Sequence, residues 1–349
     1  MRCDDSLATI LLVSRLCADG VRPLKASEYW HLLDLIEDSS AQPVSREVGG
    51  SDGEPAHPRE GLQVLLGGGM EQPAPDRGLS EDLANRIAGL MGRATAMAFE
   101  LDRLEQSGIK TLTVYDEHYP RRWLARLGAK APPLAHGAGV LELLDTPGLG
   151  VVGSRDVSQA GGDVAKEVAR LAARRGLPLA SGGARGVDQL AMSAAFEAGG
   201  TVVGILAESL SRKLKSPDVR RAVYEGSTVM CTPYSPDAPF SAGNAMGRNK
   251  LIYAQAALTV VVASDADSGG TWSGATEALK HGYGSVAVWR GDGEGPGNGP
   301  LQERGARPVS SLDDIESLLD GVRSSVHKLE SAPANAPEQQ SLFAGTMPA

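Results

Sequence analysis

The sequence predicts an α/β protein: a doubly wound, mostly parallel sheet preceded by a small all-helical N-terminal domain. Three observations predict it. Between 111 and 289, seven short, mostly apolar runs recur, six of them with valine, nearly continuous instead of alternating, as in strands covered on both faces. Ala-rich stretches with helical spacing separate most of them, the order expected of a parallel sheet. Before about residue 108 only the helical period appears.

In chain order, "DDSLATILLVSRL" and "SEYWHLLDLIED" place apolar residues at helical spacing, with Ser27 as the expected N-cap of the second. "SSAQPVSREVGGSDGEPAHPREG" is polar and rich in Pro and Gly, which predicts a flexible insertion near 39–78. Helical spacing resumes in "LSEDLANRIAGLMGRATAMAFELDRLEQSGI", with Ser80 as cap and Gly108 as stop. This closes a helical domain over 1–108. The strands expected in the second domain, 109–323, are 111–115, 148–153, 177–181, 201–206, 227–232, 258–263 and 285–289. Helices are expected at 161–175, 187–198, 217–225, 243–257 and 271–282. "RGDGEGPGNGP" reads as a loop and "SLDDIESLLD" as a last short helix. The polar segment 324–349 is expected to be a disordered tail. There is no internal repeat.

Composition narrows the function. The chain of 349 residues carries a net charge of −9, which argues against a generally basic, nucleic-acid-coating protein. The charge is uneven, however. Residues 148–290 hold 15 basic against 12 acidic side chains, and the remainder 19 against 31. A locally positive surface on an acidic chain still binds phosphate. Cys3, Cys17 and Cys231 are odd in number and far apart, so no disulfide framework is expected and a reducing cytoplasm fits. The six histidines lack ligand spacing; neither a metal nor a cofactor is expected. No apolar stretch is long enough for a membrane span. The N-terminal apolar run follows acidic residues and lacks a small-residue cleavage site, so no signal peptide is expected.

In an open parallel sheet, ligands sit at the carboxyl ends of the strands. Three unusual turns fall there: Gly153-Ser154-Arg155; "SGGARGVD", with Ser181, Gly182, Gly183, Arg185 and Gly186; and "SGGTWSGATE", with Gly269, Gly270 and Thr271. Glycines let backbone N–H groups approach a ligand, and helix N-termini add free donors and a positive dipole end. A single such turn is often merely structural. It is neither the dinucleotide fingerprint nor a Walker A loop. Three in one sheet, two of them with an arginine, point to a phosphate site. Arg248, Asn249 and Lys250 open an otherwise apolar helix, where burying charge is costly without a partner. "SRKLKSPDVRR" adds a basic run whose Lys213 and Lys215 extend a track for a polyanion, if it is more than a solvated face.

Together these residues resemble the DprA/Smf family of DNA-processing proteins. The stretch "YDEHYPRRWLARLGAKAPPLAHGAG" is similar to the family's entry into its Rossmann-like domain, and "VVGSR" to its first strand and Gly-Ser-Arg turn. "SGGARGVDQLAMSAAFEAGGTVVGIL" resembles its Ser-Gly-x-Ala-Arg-Gly-x-Asp signature, and "MGRNK" its Arg-Asn-Arg motif, with Lys250 where arginine is usual. The likeness covers about 109–290. It departs in the turn "PYSPDAP", in the longer glycine turn at 268–277, and in the lack of a C-terminal winged-helix pattern. The resemblance implies binding of single-stranded DNA, protection of incoming DNA, and loading of the RecA recombinase in transformation and recombination. It also implies a homodimer, with Arg155, Arg185, Arg248, Asn249 and Lys250 lining the phosphate pocket and Lys213 and Lys215 at its edge. The aromatics near it for base stacking are Tyr234, Phe240, Tyr253 and Trp272.

Two alternatives compete. Nucleotide phosphoribohydrolases of the lysine-decarboxylase-like type carry an Arg-Lys pair and a glycine–threonine–glutamate turn. "MGRNK" and "GGTWSGATE" echo them, with Arg248 on a phosphate and Glu277 beside a developing oxocarbenium ion. The proline is missing and the spacing differs. Asp188 is the one further carboxylate weighed, and Glu277 also suits an exposed helix position near Lys280. The other alternative is a nucleotide-sensing module without catalysis. Finally, "QQSLF" in the tail, with Gln339, Leu342 and Phe343, resembles the peptide by which bacterial proteins dock on the replication sliding clamp.

Overall fold

The computed structural model describes residues 3–17, 20–39 and 80–330. The insertion expected near 39–78 therefore lies almost wholly outside the described residues, as does the clamp-like peptide. Among the described residues four helices come first: α1 (Asp4–Val13), α2 (Ala26–Ser39), α3 (Glu81–Met91) and α4 (Ala94–Gln106). Ser80 caps α3 by accepting from the Leu83 N–H. Ser27 lies inside α2 instead of capping it. There follow β1 (Lys110–Thr113), α5 (Arg121–Leu127), β2 (Leu134–Gly139), β3 (Gly148–Val152), α6 (Gln159–Arg174), β4 (Leu179–Ser181) and α7 (Val187–Glu197). Next are β5 (Val202–Ile205), α8 (Leu210–Lys213), α9 (Pro217–Tyr224), β6 (Thr228–Thr232), α10 (Ala242–Gln255) and β7 (Ala256–Val261). The chain continues through α11 (Gly269–His281), β8 (Ser285–Trp289), α12 (Asn298–Glu303), β9 (Arg307–Val309) and α13 (Leu312–Glu330).

The strands form one sheet in the order β1-β2-β6-β5-β4-β3-β7-β8-β9. It is parallel from β6 through β9, and β2 is antiparallel to both β1 and β6. Starting at β3, the chain winds outward through β4, β5 and β6. It then returns through α10 to place β7 on the other flank of β3. The switch point thus lies between β3 and β7.

Side chains along β7 alternate between two cores. Leu258 and Val260 pack with α6, α7 and α13, while Val261 packs with α10 and α11. Helices therefore cover both faces, which is why the strands read as nearly continuous apolar runs. Two strands escaped the sequence reading. "LAHGAG" has almost no β-branched content, yet it pairs on both sides. "RPV" carries a proline and sits at the sheet edge, where a missing N–H costs least. The final helix runs to Glu330, ten residues past "SLDDIESLLD".

The N-terminal helices share one apolar core with the sheet domain. Ala8, Leu12, Tyr29 and Leu32 pack in the same cluster as Leu112, Val114 and Trp123. Polar ties reinforce the contact. Trp30 Nε1 donates to the Ala131 carbonyl at 2.9 Å, and Ser6 Oγ to Asp116 Oδ2 at 3.2 Å.

One buried side chain clamps the carboxyl ends of β7 and β8. Asn298 Nδ2 donates to the Val262 and Trp289 carbonyls, each at 2.8 Å, and Asn298 Oδ1 accepts from Ser264 N–H at 2.9 Å. Asn298→Ala strands these backbone groups in a dry environment. The expected loss is about 3 kcal/mol of stability, read as a drop in thermal midpoint. An unchanged midpoint would remove the clamp from this account.

Candidate functional site

The three glycine-rich turns lie at the carboxyl ends of β3, β4 and β7, so the first and third flank the switch point. The first two interlock. Ser154 N–H donates to the Ala263 carbonyl at 2.8 Å, tying the first turn to the strand end of β7. Val187 N–H donates to the Ser154 carbonyl at 3.2 Å, tying it to the start of α7. Gly186 holds a φ of +85°, and a Cβ there would stand 2.4 Å from the Ser154 carbonyl oxygen and 2.7 Å from that of Arg155. Backbone meets backbone here, so only glycine fits. Ser181 is spent inside the sheet, its hydroxyl donating to the Val151 carbonyl at 2.7 Å.

Behind the second turn lies a buried pair of opposite charges. Asp188, on the first turn of α7, accepts from the backbone N–H groups of Gly182 at 3.2 Å and Ala184 at 3.4 Å. Burial pushes its carboxyl above the usual range; the nearby Arg248 charge and the amides of Ala184, Gly182 and Gly153 work against that. Arg248, from α10, is 4% exposed. Its guanidinium lies against Gly182, where a Cβ would come within 1.3 Å of Nη1. Its Nε and Nη1 are buried without hydrogen-bond partners among the described residues. Burial pulls Arg248 below the usual arginine range, Asp188 opposes the shift, and the charge of Arg155 adds to it. Two unsatisfied donors on a buried cation are expensive unless an acceptor reaches them.

The remaining residues singled out by sequence divide. Arg155 is exposed and lies over the Phe240 ring, 5.0 Å from its centroid. Arg185 is exposed at the rim of the second turn, and among the described residues neither arginine has an acidic partner. Asn249 is spent on architecture: its Nδ2 donates to the Gly270 carbonyl at 2.9 Å, joining α10 to the start of α11. Lys250 is half-buried on another face of α10, beside Lys130 and Glu277. Lys213 is 3.6 Å from Glu208, so its charge is partly matched, and Lys215 is exposed. The third turn differs in sign. Gly269, Gly270 and Thr271 begin α11, but exposed Asp265 and Asp267 stand before them, Asp267 3.9 Å from Arg304.

Of the aromatics, Tyr253 is fully buried and Trp272 nearly so, which removes both from stacking on a base. Phe240 is 47% exposed, and Met246, on the first turns of α10, is 54% exposed. Met246 gave no signal in the sequence, since a lone methionine is unremarkable. The sequence offers Asp188 only as a second catalytic carboxylate. Its place two residues after Gly186, facing an Arg248 sixty positions away, emerges only in three dimensions.

Glu277 sits in the third turn of α11 and accepts from the Tyr283 hydroxyl at 3.2 Å; that hydroxyl accepts in turn from Lys130 Nζ at 2.9 Å. Among the described residues there is no group of three His, Cys, Asp or Glu placed to hold a metal. No helix among them is long and apolar enough to cross a membrane.

Comparison with known proteins bears on this geometry. Residues 110–320 match the profile of a family described as DNA recombination-mediator protein A. The chain is 29% identical over 244 residues to the protein Smf of Escherichia coli, covering 68% of this chain and 64% of that one. It spans about two thirds of the length of the curated relatives it matches. DNA processing protein A of Streptococcus pneumoniae superposes with a TM-score of 0.54 at 24% identity, over 66% of this chain and 84% of that one. DNA processing protein A of Helicobacter pylori superposes with a TM-score of 0.51 at 22% identity, over 63% and 98%. The latter structure concerns that protein's single-stranded DNA binding mode.

Proposed function

The chain belongs to the DNA recombination-mediator protein A family, that of the DprA/Smf DNA-processing proteins, and from that premise we propose that it binds single-stranded DNA at the β3–β7 switch point. The observation that carries this reading is Arg248: a guanidinium buried with two donors that have no partner among the described residues, set against a glycine turn, with exposed Arg155 and Arg185 on the neighbouring turns. A backbone phosphate supplies the missing acceptors. Of the turn amides, Gly183 and Gly186 stand in the wall around it, since those of Ser154, Gly153 and Gly182 are spent on the Ala263 carbonyl and on Asp188. Phe240, beside Arg155, and Met246, on α10, offer exposed apolar surface on which bases stack. Contacts of this kind hold the strand without reading its sequence.

The acidic third turn narrows the anion's position to the first two turns and α10. The likeness to the Helicobacter protein supports the choice of a single strand over a duplex. RecA loading and a homodimer follow from the family resemblance and belong to the same proposal. So does docking of Gln339, Leu342 and Phe343 on the sliding clamp, although that peptide lies outside the described residues. The phosphoribohydrolase reading is weaker. Its carboxylate, Glu277, already accepts from Tyr283, and Asp188 is occupied by backbone amides.

The test is fluorescence anisotropy with a labelled thymidine oligonucleotide and a duplex control across a salt titration. The expected result is preference for the single strand, with affinity falling steeply as salt rises, by a slope of about 0.7 per phosphate contact. Absence of binding at low salt would end this reading and direct attention to nucleoside monophosphates and Glu277.

A further inference from the structure

A cleft of about 340 Å³ opens between the N-terminal helices and the sheet domain. Asn244, Gly247, Lys250 and Leu251 line it from α10, a different face of that helix from the one that sets Arg248 against Gly182. Its charge is one-sided. Arg15 and Lys25 come from the connection between α1 and α2, Lys130 from the approach to β2, and Lys250 from α10; among the described residues no carboxylate lines the cleft. In a chain of net charge −9, four cations around one cleft need an explanation, although Lys130 is bonded to the Tyr283 hydroxyl at 2.9 Å and Glu277 acts on both Lys130 and Lys250. Arg15 and Lys25 are exposed, and among the described residues neither side chain is in an ion pair, although the Lys25 backbone N–H donates to Glu28 Oε2 at 2.7 Å. Lys250 is half-buried; burial holds its ammonium below the usual lysine range, against the pull of Glu277, and Lys130 adds to the effect. Like charges gathered in a concave, partly desolvated place raise the local concentration of anions.

The rest of the wall mixes the polar side chains of Ser14, His136 and Ser235 with apolar surface. Pro132, Pro133 and Pro233 line it with the ring of Tyr234, whose hydroxyl is already committed to the Asn244 carbonyl at 2.8 Å. Apolar plates beside a few convergent polar groups, in a volume of this size, are the ordinary features of a small-ligand site. We propose that this cleft binds one nucleotide unit, its base against the proline and tyrosine surfaces and its phosphate among Arg15, Lys25, Lys130 and Lys250. The nucleotide comes either from a strand already held at the switch point or from a free nucleoside monophosphate. The first source rests on the single-stranded DNA reading above; the second does not.

The test uses the full chain and the double variant Arg15→Glu/Lys25→Glu, with equal thermal midpoints as the check on folding. Arg15→Gln/Lys25→Gln serves if charge reversal lowers the midpoint. The probes are thymidine oligonucleotides of about 5 and about 20 nucleotides, which bracket the site size of one domain, and thymidine monophosphate by calorimetry. If the strand is the source, the variant loses about tenfold for the longer probe and its salt slope falls by about 0.7, one phosphate contact, while the shorter probe binds as before. If the free nucleotide is the source, wild type binds the monophosphate and the variant does not. Equal behaviour of wild type and variant toward all three probes overturns the proposal. So does an equal loss on the short and long probes, which would signify a diffuse field and no site. If the wild type binds neither oligonucleotide, the switch-point reading fails by itself, and the monophosphate result alone decides the cleft.

Discussion

Arg248→Ala is expected to lower affinity for single-stranded DNA about 30-fold, equally on every sequence, through the loss of charge-assisted hydrogen bonds worth about 2 kcal/mol. The salt slope should fall by about 0.7, one phosphate contact. A change in base preference would mean that Arg248 touches bases, and unchanged affinity would mean that it touches nothing. Stability should respond differently. The substitution removes two unsatisfied buried donors, a gain, and deprives Asp188 of its nearby cation, a loss. These oppose, so the net change at neutral pH should stay within about 2 kcal/mol, small beside the loss of a well-paired buried ion. The loss depends on pH. Burial already sets the Asp188 carboxyl above its unfolded range, and removing Arg248 sends it higher. The folded variant therefore takes up a proton at higher pH than the unfolded chain does. Its penalty is complete above the folded pKa and disappears as pH falls below the unfolded one. The midpoint of Arg248→Ala relative to wild type should accordingly rise between neutral pH and about pH 4. A difference independent of pH would show that the two charges do not interact.

Gly182→Ala should reproduce the binding defect with no change to any charged residue. The new Cβ would lie 1.3 Å from Arg248 Nη1 and 2.3 Å from Cζ, so the guanidinium must leave its place. Gly182 is not among the glycines of positive φ, so alanine is not strained by the backbone itself. The obstacle is the tip of a flexible side chain. The fold should persist, and affinity for the single strand should fall about as far as in Arg248→Ala. The two substitutions remove one interaction, so the double variant should bind no worse than either single one. Additive losses would mean that Gly182 acts through its own amide instead of through Arg248. Wild-type binding by Gly182→Ala would place the phosphate elsewhere.

Much of this was legible in the sequence. The seven mostly apolar strands and the helices between them appear within a few residues of where periodicity puts them, because a strand buried on both faces must be nearly continuous in apolar residues. The glycine turns were legible because close backbone approach admits few other residues. Leu134–Gly139 was not, because its pairing partners, Lys110–Thr113 and Thr228–Thr232, supply the reason for a strand that its own composition lacks. Tyr253 and Trp272 offer stacking surfaces in the sequence and none in the fold, since burial of an aromatic ring depends on what packs against it.

The sharpest contrast lies in Arg248, Asn249 and Lys250. The sequence by itself determined that three polar residues open an apolar helix at the ligand end of a parallel sheet, and that glycine turns await them there. It determined this because residue type and period are local properties. Only the tertiary structure decided that the three divide: Arg248 to Gly182 and Asp188, Asn249 to Gly270, Lys250 to a second basic cleft. Successive residues on a helix point about 100° apart, so neighbours in sequence face different partners. Which partner each one meets depends on segments up to more than a hundred residues away.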